Sequence, residues 1–231
     1  IEGQGGPVIR IEGVSRLHGV HYRIIPDRIE AGTLMLAAAI AGGDVMIDGA
    51  RADHLGAIID KLCEAGATVE KLNGALHVQA PARQGGAPGQ AHHPLQAVDV
   101  TTLPFPGFPT DLQAQMMALM AVSRGVSVLT EKIYPERFMH ISELNRMGAH
   151  ITREGASAII KGAKRLLGAP VVATDLRASA ALILAGLAAE NHTELRGVAH
   201  LDRGYAHLED LLTRLGAKIR RMNSETRTGE E

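Results

Sequence analysis

The stretch HLGAIIDKLCEAGATVE (His54–Glu70) returns as MHISELNRMGAHITRE (Met139–Glu154) and as HLEDLLTRLGAKIRR (His207–Arg221), and this recurrence decides the fold. In each copy apolar residues fall at helical spacing, a Gly-Ala pair ends the helix, and an alternating strand pattern follows. Gly66, Gly148 and Gly216 provide the stop, because glycine enters the left-handed conformation that closes a helix. Ahead of each copy lies a second shared block: PDRIEAGTLMLAAAIAGGDVMI, PTDLQAQMMALMAVSRGVSVLT and ATDLRASAALILAGLAAENHTEL. Each block gives an aspartate where an N-cap belongs (Asp27, Asp111, Asp175), then an apolar helix, a breaker and a strand. One repeat reads strand, helix, strand, helix, strand, strand over roughly 65 to 85 residues, three times along the chain. The expected fold is therefore α/β, three βαβαββ units packed with pseudo-threefold symmetry.

The ends fall out of step with this period. VIRIEGVSRLHGVHYRIIPDR (Val8–Arg28) matches AIIKGAKRLLGAPVVATDLR (Ala158–Arg177), so residues 1–13 are expected to be the closing strand of a preceding unit or domain. The third repeat stops after AKIRR, short of the closing strand seen as ALHVQA and AIIKGA. An array with such ends is expected to have been separated from its first half; atypical capping repeats are the alternative. The repeat domain then runs over 14–221. PARQGGAPGQAHHP (Pro81–Pro94) reads as a mobile insertion, and the polar residues 222–231 read as a disordered tail.

Composition excludes several classes. The 231 residues carry 24 Lys and Arg against 25 Asp and Glu, a net charge of −1, which predicts neither a nucleic-acid footprint nor a basic membrane patch. The longest apolar runs are too short to cross a bilayer. The single Cys63 rules out an internal disulfide framework and fits a reducing compartment. A soluble, cytoplasmic protein is expected.

PTDLQAQ, ERFMHISELNRMGAH, TDLRASAALILAG and HLDRGYAHLEDLLTRLGA strongly resemble the UDP-N-acetylglucosamine 1-carboxyvinyltransferases, the enolpyruvyl transferases that open bacterial peptidoglycan synthesis. The likeness runs from about Ile1 to Arg221, broken mainly at Pro81–Pro94. It implies two inside-out α/β barrel domains with the active site between them, of which this chain matches the second. It implies phosphoenolpyruvate and UDP-N-acetylglucosamine as substrates, the missing N-terminal domain as a partner, and no cofactor. The family's phosphoenolpyruvate-handling cysteine, a Lys-Asn pair and several arginines belong to the first domain and have no counterpart here. Cys63, beside Leu62 on a helix, reads as packing rather than as a nucleophile.

Within FPGFPTDLQAQ (Phe105–Gln115), Asp111 follows Pro104, Pro106 and Pro109 in a stiff approach, with Phe105 and Phe108 placed to shed water near its carboxylate. Desolvation would raise its pKa and make it a better proton acceptor. In the family the matching aspartate lies beside the sugar hydroxyl that attacks phosphoenolpyruvate. Asp27 and Asp175 read first as caps or ion-pair partners, with Asp175 also a substrate-site candidate. Arg28, Arg137, Arg177 and Arg203 are the cations for a diphosphate, a phosphate and a carboxylate, although Arg28 and Arg177 could simply pair with a nearby aspartate. At Ile133 the resemblance implies a backbone contact to the nucleotide sugar. The His18/His21 and His92/His93 pairs lack companions at ligand spacing, so no metal site is expected. Met116, Met117 and Met120 read as core. Two rivals stand beside this reading: a shikimate-pathway enolpyruvyl transferase half, and a non-catalytic nucleotide-sugar binder.

Overall fold

A computed structural model of the chain describes residues 1–82 and 94–222; most of the expected insertion (83–93) and of the tail (223–231) lies outside them. The elements in order are α1 (Arg28–Ala41), β1 (Asp44–Asp48), α2 (Gly56–Ala65), β2 (Thr68–Leu72), β3 (Ala75–Gln79), β4 (Val100–Thr101), α3 (Gln113–Met120), β5 (Val126–Thr130), α4 (Ile141–Arg146), β6 (His150–Glu154), β7 (Ser157–Lys161), β8 (Pro170–Val172), α5 (Leu176–Ala188), β9 (Glu194–Arg196) and α6 (Leu208–Arg214).

The three Asp-led helices α1, α3 and α5 pack against one another. Their sequences are apolar on every side, and a helix of that kind is stable only when surrounded. All eight residues of α3 are buried, as are Met35–Ile40 of α1 and Ala178–Ala185 of α5. The methionines at 116, 117 and 120 lie fully inside this cluster. The sheets sit around it. In β3 and β7 alternate residues, Leu76 and Val78 or Ala158 and Ile160, are fully buried, as expected of sheets with one face on a core.

Among the described residues only the middle unit forms the full strand set, a four-stranded sheet ordered β4-β5-β7-β6 with β4 parallel to β5 and the other pairs antiparallel. The first unit has the antiparallel sheet β1-β3-β2, and the third a parallel β8-β9 pair. The Gly-Ala stops form as expected: Gly66, Gly148 and Gly216 have φ of 103°, 91° and 100°, and the Ala67 amide bonds back to Leu62 at 2.9 Å. Cys63 departs from expectation, since it is exposed while Ile58, Ile59, Leu62 and Ala65 take the inner face of α2.

Three expected strands do not form: one in residues 1–13, one leading into α1, and AKIRR. Residues 1–13 carry a single bridge between Glu2 and Arg10, and Ile9, Ile11, Val14, Leu17 and Val20 are all more than half exposed. Apolar alternation makes a strand only where an edge stands ready to take its backbone hydrogen bonds, and among the described residues this segment meets none. AKIRR likewise joins no ladder; Thr213 Oγ1 donates to the Ile219 carbonyl at 3.1 Å, and Arg221 bonds Asp202 and Glu209. Among the described residues no helix is long and apolar enough to cross a membrane.

Gly162 shows how closely the middle unit is packed. A Cβ there would fall onto the backbone carbonyl of Ser123, which has no rotamer to escape by. Gly162→Ala should cost about 1–3 kcal/mol, as overpacking does. A melting temperature within a degree of the parent would show that this approach is looser than described.

Candidate active site

Asp27 and Asp175 act as their sequence positions suggest. Asp27 Oδ1 accepts from the Ile29 and Glu30 amides, and Asp175 Oδ1 from those of Arg177 and Ala178 at 2.8 and 2.9 Å. Asp111 does not cap. It lies inside a 3-10 turn, Thr110–Leu112, that runs into α3, and its side chain makes no capping bond. Arg137 Nη1 donates to its Oδ1 at 2.7 Å and Arg177 Nη2 to its Oδ2 at 3.0 Å, so each carboxylate oxygen has its own guanidinium.

This pairing reverses the expected electrostatics. Burial pushes the Asp111 carboxyl up, but the Arg137 hydrogen bond and the charge of Arg177 outweigh it and hold it below the usual value. Phe105 does not help desolvate it. That ring is 59% exposed and lies between Arg28, 5.6 Å from its centroid, and His54, edge-on at 6.2 Å. Phe108 is buried. Asp111 is thus a carboxylate whose ionised form two guanidinium groups favour.

A cleft of about 450 Å³ opens over this pair, lined by Asp111, Tyr134, Arg137, Met139, Asp175, Leu176, Arg177 and Arg203. Five of the seven residues expected at the site therefore share one cleft. Arg28 does not join them; it faces Phe105 and lines a separate small recess with His54 and Pro106. Ile133 is not in the lining either: it is 43% exposed beside Tyr134, and its amide donates to Glu131 Oε1 at 2.8 Å. Arg203 is exposed on the turn Val198–Arg203 and has no carboxylate partner among the described residues. Three guanidinium groups against two carboxylates, with an apolar wall from Met139 and Leu176, suit an anionic ligand that also carries uncharged surface.

Sequence reasoning missed several supporting groups. Thr110 Oγ1 accepts from Arg137 Nη1 at 3.1 Å, Gln113 Nε2 holds the Arg137 carbonyl at 3.2 Å, and Arg137 lies 5.5 Å from the centroid of the Tyr134 ring. His140, just before α4, is buried with its Nε2 unpartnered; burial pushes its pKa down to about 4, Asp175 opposing and Arg137 reinforcing that shift. Leu176 and Thr110 adjoin residues already chosen, and that adjacency was the available signal. Among the described residues no group of three His, Cys, Asp or Glu could hold a metal ion.

Three buried apolar helices with short sheets packed on them, and a cleft holding three arginines near the N-terminal ends of α3 and α5, make an α/β domain with a candidate site for an anionic ligand. The model for the EPSP synthase family (3-phosphoshikimate 1-carboxyvinyltransferase) matches residues 1–227, and the chain belongs to that family. Among curated relatives, the UDP-N-acetylglucosamine 1-carboxyvinyltransferase of Trichlorobacter lovleyi is 53% identical over 223 residues, covering 96% of this chain and 51% of the relative. That of Myxococcus xanthus is 54% identical over 221 residues, covering 96% and 50%. The chain thus spans about half the length of the curated relatives it matches. Among solved structures, the enolpyruvyl transferase NikO of Streptomyces tendae aligns with a TM-score of 0.73 at 29% identity, over 85% of this chain and 44% of NikO. An EPSP synthase of Acinetobacter baumannii aligns at 0.62 with 18% identity, over 87% and 44%, a likeness of fold.

Proposed function

We propose that this chain is the second domain of a UDP-N-acetylglucosamine 1-carboxyvinyltransferase. In that reading the enolpyruvyl group of phosphoenolpyruvate passes to the sugar 3-hydroxyl, in the cytoplasm, as the committed step of peptidoglycan synthesis. The domain occupies 14–221, is one inside-out barrel of three repeats, and closes over substrate with an N-terminal domain that brings the phosphoenolpyruvate-side residues.

The observation that carries the reading is the Asp111 carboxylate suspended between Arg137 and Arg177 in the cleft. Asp111 takes the proton from the attacking hydroxyl. Arg137, Arg177 and Arg203 neutralise the anionic groups of the substrates, Asp175 orients Arg177 by starting its helix, and Ile133 offers its carbonyl, its amide being occupied. The relatives more than half identical to this chain carry the nucleotide-sugar name, which favours that substrate over shikimate 3-phosphate.

Ligand-observed NMR on the 231-residue chain tests the substrate class. UDP-N-acetylglucosamine should bind weakly and saturably, and Arg137→Ala should abolish the saturation. Preferential binding of shikimate 3-phosphate would move the assignment to the shikimate-pathway enzyme.

A further inference from the structure

Glu131 is fully buried just after β5, and among the described residues its hydrogen-bond partners are all uncharged. Its carboxylate meets four donors instead. Oε1 accepts from the Thr102 hydroxyl and from the amides of Ile133 and Tyr134 at 2.8 and 3.0 Å, and Oε2 accepts from Thr110 Oγ1 at 2.8 Å. A buried carboxylate is costly unless its lone pairs are satisfied, and here they are.

The bonds converge on one neighbour. A threonine hydroxyl has a single proton, and Thr110 gives it to Glu131, so the lone pairs of its oxygen are free to face Arg137. Arg137 Nη1 then donates to Thr110 at 3.1 Å and to Asp111 at 2.7 Å. On the other side Glu131 ties down the amide of Tyr134, whose ring lies against the Arg137 guanidinium. The loop before α3 and the turn after β5 are both anchored on this one side chain.

We propose that Glu131 is a positioning residue for the cleft: by orienting the Thr110 hydroxyl and the Tyr134 turn it sets the Arg137 guanidinium on Asp111. This rests on the reading of Asp111 and Arg137 as site residues. Glutamine is nearly isosteric but presents an N–H₂ to Thr110, whose proton must then turn away, towards Arg137. The guanidinium would lose its acceptor and meet a donor.

The test follows the Asp111 carboxyl by ¹³C NMR in the 231-residue chain as pH is lowered. In Glu131→Gln and in Thr110→Val the titration should move up, towards an ordinary aspartate; Thr110→Ser, which keeps the hydroxyl, should titrate as the parent does. In the full-length enzyme the first two variants should lose about ten- to a hundredfold in kcat/KM, the scale of a displaced positioning group. A packing role alone would lower the melting temperature and leave the Asp111 titration in place, and that result overturns the proposal. If Glu131→Gln does not fold, the Thr110→Val titration decides by the same criterion. A parent enzyme without activity on UDP-N-acetylglucosamine would refute the proposed function and leave the titration result standing.

Discussion

Asp111→Asn in the full-length enzyme should lower kcat by about 10²- to 10⁴-fold, the usual loss when a general base is removed. The carboxylate it replaces is held below its ordinary pKa, burial notwithstanding, by the Arg137 hydrogen bond and by Arg177. A low pKa weakens a base but keeps it deprotonated throughout the working range. Substrate anions that draw Arg137 and Arg177 onto themselves would return basicity to Asp111 at the moment it is needed. Asparagine keeps the shape and removes the proton acceptor, so near-normal turnover would reduce Asp111 to a structural ion pair.

The same pairing gives a stability signature. A carboxyl with a depressed folded-state pKa contributes stability that is fully present above the unfolded value, about 3.9, and is lost as pH falls through the folded value. At neutral pH both Asp111→Asn and Asp111→Ala should melt below the parent, and the gap should close in acid. A capping role would instead have spared the asparagine variant and penalised only the alanine.

The purified 231-residue chain should release no phosphate from phosphoenolpyruvate and UDP-N-acetylglucosamine, a complete loss relative to the full-length enzyme. Its cleft offers Asp111 and three arginines, and the phosphoenolpyruvate-side residues are expected in the other half. Holding two substrates at attacking distance is a large part of such catalysis, and on the proposed reading this domain contributes only one side of the site. Measurable product from this chain alone would mean that the second substrate is bound by residues of this chain outside the Asp111 cleft.

The helices were legible because they rest on local chemistry: an aspartate and an apolar run mark α1, α3 and α5, and a Gly-Ala stop closes α2, α4 and α6, each within a few residues. The arginines were legible by type and by resemblance. What was not legible lay in long-range pairing. Asp111 sits at the same repeat position as two true caps, and only the folded chain brings Arg137, 26 residues on, and Arg177, 66 residues on, to its oxygens. That contact reversed the expected pKa shift. Arg28 follows an aspartate in the repeat as Arg177 does, yet meets Phe105 instead. Glu131 gave no signal, since a glutamate after a strand reads as surface until four donors are found around it. Residues 1–13 alternate as a strand does, but alternation does not supply the edge to pair with.

The central assignment is a nucleotide-sugar enolpyruvyl transferase whose base is Asp111, and turnover by the full-length enzyme is its decisive test. Phosphate release from phosphoenolpyruvate is measured with UDP-N-acetylglucosamine or with shikimate 3-phosphate as acceptor, in parent and Asp111→Asn. That assignment requires release only with the nucleotide sugar, and a loss of at least about a hundredfold in the variant. Release with shikimate 3-phosphate, or equal rates in parent and variant, would contradict it.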